Sequence, residues 1–160
     1  MFDLSVYLPY LLNRAGSRIA ASFSAELRAE HGITLAMWRV LAALHHRDGQ
    51  LVGELARMTT IEVSTLSRML GAMQRRGLVE RRRPAVQAVG SDARTVAIHV
   101  TEAGRTLTGT LIPEALRYEA TALDGFTEDE ARMLKGMLGR LFENMGRLDA
   151  APPRSRRLAS

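Results

Sequence analysis

Leu51-Val52-Gly53-Glu54-Leu55-Ala56-Arg57-Met58, Thr59-Thr60-Ile61-Glu62 and Val63-Ser64-Thr65-Leu66-Ser67-Arg68-Met69-Leu70-Gly71-Ala72-Met73-Gln74-Arg75-Arg76 follow one another without a break. They read as a short amphipathic helix, a four-residue turn and a longer helix. Gly77-Leu78-Val79-Glu80-Arg81-Arg82-Arg83 comes next, and Gly77 stands where a helix-ending glycine would. Asp92-Ala93-Arg94-Thr95-Val96-Ala97-Ile98-His99-Val100-Thr101 closes the stretch, with Pro84 to Ser91 as a tip between. Val96, Ile98 and Val100 alternate with Thr95, Ala97 and His99, the period of a half-buried strand, and Leu78-Val79 begins its partner. Helix, turn, helix and antiparallel ribbon compose a winged helix-turn-helix.

The longer helix has two unlike sides. Leu66, Met69, Leu70 and Met73 recur at helical spacing and face a core. Ser64, Thr65, Arg68, Gly71, Ala72 and Arg75 share the other side. Its first turn is small and hydroxylated, which suits hydrogen bonds to phosphates and base edges in a major groove. Gly71 and Ala72 leave room for a phosphate backbone, and Glu62 suits the positive end of the helix dipole. An ordinary amphipathic surface helix would share the periodicity but not the surroundings. From Arg57 to Arg94 the chain carries Arg57, Arg68, Arg75, Arg76, Arg81, Arg82, Arg83 and Arg94 against Glu62, Glu80 and Asp92. That excess equals the whole formal net charge of +5, and the remaining residues balance. A solvated face mixes signs; a net charge confined to one helix and one ribbon marks a polyanionic partner. Candidate DNA contacts are therefore Ser64, Thr65, Ser67, Arg68, Arg75, Arg76 and Arg82, with Arg94 placed to enter a narrow minor groove.

The run Asp92-x-Arg94-x-Val96-x-Ile98-x-Val100-Thr101-x-x-Gly104 resembles the wing signature of the MarR family of bacterial transcriptional regulators. Gly53-Glu54-Leu55-Ala56, Ser64-Thr65-Leu66-Ser67-Arg68 and Arg76-Gly77-Leu78-Val79 match the family's helix-turn-helix in order and spacing, and the resemblance spans roughly residues 5 to 148. It implies a mainly α (α+β) chain of about six helices with a small antiparallel β wing. It also implies a homodimer joined through N- and C-terminal helices, binding an inverted-repeat operator on double-stranded DNA, with a small-molecule pocket near the stem. Residues 1–149 then form a single domain: 8–30 and 102–147 are dimerisation helices, 34–101 the DNA-binding module, and 150–160 a basic, disordered tail. The wing tip between Pro84 and Ser91 is longer and less acidic than in many members.

The rest of the chain fits this frame. Leu12, Ala15, Ile19, Phe23 and Leu27 make an apolar stripe along 8–30, with Pro9 in the first turn and Gly32 after the last. Thr34 caps a second helix, to His46, that holds Met37, Trp38, Val40, Leu41 and Leu44 inside. Thr101 caps a long helix from Glu102 to about Ala122, which Pro113 should kink or split. Thr127-Glu128-Asp129-Glu130 is a capping box for the last helix.

Other functions find little support. The chain has no cysteine, so disulfides, thiol oxidation sensing and cysteine-containing zinc sites are excluded. His45 and His46 point about 100° apart, no His-x3-His pair exists, and no metal site is expected. There is no phosphate loop, nucleotide fingerprint or nucleophile elbow, hence no enzyme and no cofactor. None of the four histidines has an evident acid partner. Without a signal segment or a membrane-length apolar run, a cytoplasmic protein is expected.

For an effector, Arg14 and Arg18 stand one turn apart beside the apolar stripe, near Tyr7, Tyr10 and Asn13. A guanidinium beside aromatic side chains suits bidentate capture of a carboxylate. Tyr10-Leu11-Leu12-Asn13-Arg14-Ala15-Gly16 is similar to the first helix of MarR regulators of aromatic-acid degradation, some of which bind the ligand carboxylate through an arginine here. That resemblance makes Arg14, Arg18, Tyr10 and Trp38 the candidate ligand-binding residues and a small aromatic carboxylate the expected effector of a repressor. Core filling is the other role open to Trp38. An acyl-CoA thioester is the alternative effector, and a DNA-binding protein without a ligand the alternative function.

Overall fold

A computed structural model describes residues 1–83 and 96–149 of the chain, the side chains through 147. The wing tip, with Asp92 and Arg94, and the tail from Ala150 lie outside the described residues. A short 3-10 helix, Leu4–Val6, precedes α1 (Leu8–His31), α2 (Leu35–His46), β1 (Gln50–Leu51), α3 (Val52–Thr59), α4 (Val63–Arg75), β2 (Val79–Arg82), β3 (Ala97–Val100), α5 (Glu102–Ala122) and α6 (Glu128–Asp149). The chain divides into two compact units, Met1–Glu119 and Ala120–Ser160. No described helix is long and apolar enough to cross a membrane.

In the first unit, each helix ends where its residues dictate. Pro9 sits in the first turn of α1, and Gly32 closes the helix in the left-handed region, at φ 62°. Thr34 Oγ1 accepts from the Met37 amide at 3.2 Å and opens α2. The buried faces converge: Leu27 and Ile33 meet Leu41 and Leu44 of α2, Leu55 of α3, Leu66, Leu70 and Met73 of α4, Ile98 of β3 and Leu111 of α5, all at most 1% exposed. Burying such side chains stabilises by roughly 1.5–3 kcal/mol each, so one core fixes α4 to α1 and α5.

The strands form an antiparallel sheet in the order β1-β3-β2. Val79 faces Val100 and Arg82 faces Ala97. On the other edge of β3, Gln50 faces Ile98. This third strand is absent from the sequence reading, which begins a helix at Leu51. Gln50 explains it. Its side chain is 2% exposed and its Nε2 donates to the Ala43 carbonyl at 2.8 Å and the Arg47 carbonyl at 2.7 Å. The amide thus satisfies the open C-terminus of α2 and carries the chain onto the sheet.

Pro113 does not split α5, which runs unbroken from Glu102 to Ala122. Leu107 and Leu111 before it, and Ala115 and Tyr118 after it, pack on the same core. That shared burial outweighs the one helical hydrogen bond a proline removes. In the second unit, the Thr127–Glu130 box closes as its spacing predicts. The Thr127 amide donates to Glu130 Oε2 at 2.8 Å and the Glu130 amide to Thr127 Oγ1 at 3.2 Å.

The α1 stripe is only half used. Phe23 and Leu27 are buried, whereas Leu8, Leu11, Leu12 and Ile19 stay 40–46% exposed. α6 likewise exposes Met133, Met137, Leu138, Phe142 and Met145, 40–67% each.

Candidate nucleic-acid interface

The turn between α3 and α4 is fixed by local bonds. Thr59 Oγ1 donates to the Leu55 carbonyl at 2.6 Å, and the Ile61 amide reaches back to the Ala56 carbonyl at 3.2 Å. Thr60 between them is the one described non-glycine residue at positive φ, 55°. Glu62 then caps α4, accepting from the Ser64 amide at 2.9 Å and the Thr65 amide at 3.0 Å. The Ser64 hydroxyl donates to the same carboxylate. These bonds, the Ser64 hydroxyl's foremost, hold the Glu62 carboxyl down at about 2. The Ser64 hydroxyl proton is thereby spoken for, and the oxygen offers its lone pairs outward.

From that cap, α4 presents Ser64, Thr65, Arg68 and Arg75 to solvent, with Ser67 half-buried at the edge of the same face. At 100° per residue all five lie within an arc of roughly 160°. The structure thus brings five of the sequence-derived candidates together. Arg82 stands apart on β2, exposed and paired with Glu80 beside the exposed Arg81 and Arg83. Arg94 is outside the described residues.

Arg76 is directed elsewhere. Its Nη1 donates to the Gly32 carbonyl at 2.8 Å and its Nη2 to the His31 carbonyl at 3.3 Å. It links the end of α4 to the end of α1.

Two histidines have acid partners that sequence distance hides. His99 Nδ1 lies 2.9 Å from Asp48 Oδ2, while Asp48 Oδ1 accepts from the Val100 amide at 2.8 Å. Burial pushes the Asp48 carboxyl up, but the bonds from the Val100 amide, His99 and the Gly49 amide outweigh it and leave the group below its ordinary value. His31 Nε2 lies 3.1 Å from each carboxylate oxygen of Glu114.

The effector candidates are not gathered in one place within the chain. Arg14 and Arg18 are exposed and Tyr10 half-buried on the N-terminal half of α1. Trp38 packs edge-on against Phe23, ring centroids 5.9 Å apart, and lines a cleft of about 400 Å³ with Arg39, His46, Met58 and Thr59. Arg39, the cation of this cleft, escaped the sequence reading; the signal was an arginine next to the only tryptophan.

Comparison with known proteins agrees with this geometry. A MarR family model matches residues 31–88, which take in the end of α1 through β2. A MarR family transcriptional regulator of Silicibacter pomeroyi is 32% identical, with a TM-score of 0.77 over 89% of this chain and 92% of that one. The transcriptional activatory protein BadR of Rhodopseudomonas palustris is 28% identical over 87% of this chain and 74% of its own length. The fold is shared with Bordetella bronchiseptica BpsR, whose DNA binding is regulated by 6-hydroxynicotinic acid, at 22% identity and a TM-score of 0.75 over 88% of this chain and 96% of that one. Its relatives are regulators and not enzymes; this chain is a DNA-binding transcriptional regulator and belongs to the MarR family.

Proposed function

We propose that the chain works in the cytoplasm as a homodimeric, ligand-responsive repressor. Two winged modules, residues 34–101 of each copy, would grip an inverted repeat with half-site centres about one helical turn apart. The observation that carries the reading is the exposed α4 face, where Ser64, Thr65, Ser67, Arg68 and Arg75 stand together above a capped helix start. Arg82 and Arg94 supply phosphate and minor-groove contacts from the wing. Because Glu62 holds the Ser64 proton, the Ser64 oxygen reads a donor, such as cytosine N4 or adenine N6, in preference to a phosphate. The half-used stripe of α1 and the exposed face of α6 support dimerisation through 8–30 and 102–147.

The effector is a small aromatic carboxylate of the benzoate or hydroxycinnamate kind, held by Arg14 with Arg18, Tyr10 and Trp38. The DNA binding of BpsR, which shares the fold, is regulated by 6-hydroxynicotinic acid, an aromatic carboxylate with a pyridine ring. A ten- to hundredfold loss of operator affinity needs a coupling of about 1.4–2.7 kcal/mol, within reach of a bidentate ion pair and ring burial. The cleft at Trp38 supports a second reading, in which Arg39 takes the carboxylate. Activation in place of repression has the example of BadR, itself named an activator.

The test is a titration of aromatic acids and their CoA thioesters against the protein–operator complex, read by anisotropy. Release by the free acids is expected, lost in Arg14→Ala with affinity without ligand unchanged. Loss in Arg39→Ala alone moves the site to the Trp38 cleft, and release by thioesters alone replaces the ligand. No release by any compound would falsify the effector reading and leave a DNA-binding protein without one.

A further inference from the structure

Among the described residues of this basic chain, an acidic cleft lies between α1 and α5. Glu26, Glu30, Pro113, Glu114 and Arg117 line a space of about 440 Å³, three carboxylates facing one arginine. Glu26 is already engaged: Arg117 pairs with one oxygen, and the Tyr118 hydroxyl donates to the other at 2.5 Å. Glu30 and Glu114 gather instead around His31. Its Nε2 is 3.1 Å from both Glu114 oxygens, and Glu30, His31 and Glu114 each bring one ligand atom within 4.8 Å of the other two. The His31 and Glu114 side chains are only 15% and 19% exposed.

We propose that Glu30, His31 and Glu114 form a binding site for a divalent transition-metal ion whose occupancy alters DNA affinity. One imidazole nitrogen with two carboxylate oxygens is a borderline donor set, suited to Zn²⁺, Co²⁺, Ni²⁺ or Mn²⁺. In a tetrahedral site with bonds of 2.0–2.1 Å, ligand atoms stand about 3.4 Å apart. His31 and Glu114 already meet that spacing to within a few tenths of an ångström. Glu30 is exposed and has three side-chain torsions with which to close the remainder. The ion takes the place of the hydrogen bond between Nε2 and Glu114, and water completes the coordination. A dication also offsets the crowding of the Glu30 and Glu114 carboxylates.

The route to DNA runs through the same residue. The main-chain carbonyls of His31 and Gly32 accept from Arg76, which ends the reading helix. An ion that draws His31 toward α5 pulls on the anchor of α4. The sequence hides this site, because Glu30-His31 and Glu114 are more than eighty residues apart and carry no local ligand spacing.

The experiment uses the untagged full chain. Equilibrium dialysis against Zn²⁺, and Co²⁺ titration read by visible d–d absorption, should give one ion per chain. Glu30→Gln, His31→Ala and Glu114→Gln should each weaken binding at least tenfold, while His45→Ala binds as the parent does. Glu30→Gln alters an exposed side chain and keeps the test valid if the other two variants misfold. Anisotropy on a duplex selected from a random library should show at least a threefold change in Kd on adding Zn²⁺, absent in Glu30→Gln. No stoichiometric binding, or binding indifferent to all three substitutions, overturns the site. Binding with operator affinity unchanged overturns its regulatory role. Dialysis needs neither DNA nor an aromatic acid, so its failure stands apart from that of the effector reading.

Discussion

Gly104 has no room for a side chain. A Cβ there would stand 2.1 Å from the Leu78 carbonyl oxygen and 2.7 Å from Val100 Cγ2. The Leu78 backbone, just before β2, cannot yield as a flexible side chain can, so the first turn of α5 must carry a glycine to lie against it. Gly104→Ala should cost about 1–3 kcal/mol by overpacking. Gly109→Ala, in the same helix with nothing within 4 Å, should instead stabilise by about 0.5–1 kcal/mol. Paired urea melts decide this, and equal effects would refute the packing account. Glu62 sets a second residue-level expectation. Its carboxyl sits at about 2 in the fold against an ordinary 4.5. The unfolded chain therefore binds the proton more readily, and the stability that this cap supplies is full above pH 4.5 and lost as pH falls toward 2. Melting temperatures of Glu62→Gln and the parent should differ at pH 6 and converge near pH 2. A gap that stays constant with pH would assign the bonds no stabilising role.

At the scale of elements, Arg76 and Thr60 can be separated from the reading face. Arg76→Ala should lower the melting temperature by freeing the Gly32 and His31 carbonyls, with the salt dependence of DNA binding unchanged. Were Arg76 a phosphate contact, the log–log slope would instead fall by about 0.9. Arg68→Ala should relax specificity at one position per half-site by about 1–3 kcal/mol if it reads guanine. Thr60 pays for its left-handed backbone, which costs a non-glycine residue roughly 1–2 kcal/mol; Thr60→Gly should recover part of that in a thermal melt. These elements also show what the sequence makes legible. Pro9, Gly32, Thr34, Gly77 and the Thr127–Glu130 box act within a turn of themselves, and each sits where its chemistry predicts. The face of α4 follows from a period alone. What stays hidden depends on chain distant in sequence: Gln50 against Ala43 and Ile98, His99 against Asp48, His31 against Glu114. Pro113 misleads for the same reason, since packing on both sides of it is tertiary. The ligand candidates Arg14 and Arg18 are exposed on α1, and no local spacing in the sequence says what they meet.

For the whole molecule, the exposed apolar residues of each unit are expected to meet a second copy of the chain. Leu8, Leu11, Leu12 and Ile19 of α1, and Met137, Phe142 and Met145 of α6, are exposed in the single chain. Light scattering at micromolar concentration should give twice the chain mass. Phe142→Glu should yield a monomer that retains its helical circular dichroism and loses simultaneous occupation of both half-sites; a dimer unaffected by it would place the seam elsewhere. Thr101 adds a mechanical consequence. Its amide donates to the Leu78 carbonyl at 3.1 Å, and its hydroxyl donates to the Gly77 carbonyl. The start of α5 is thus bolted to the residues just beyond the end of α4, and the two helices share a fulcrum. α4 has 13 residues and projects about 20 Å from that point. A tilt of about 5° at the fulcrum swings its far tip by about 1.7 Å, half the 3.4 Å rise from one base pair to the next. Leverage of this kind would leave Ser64 and Thr65 poised between two rungs of the duplex and matched to neither.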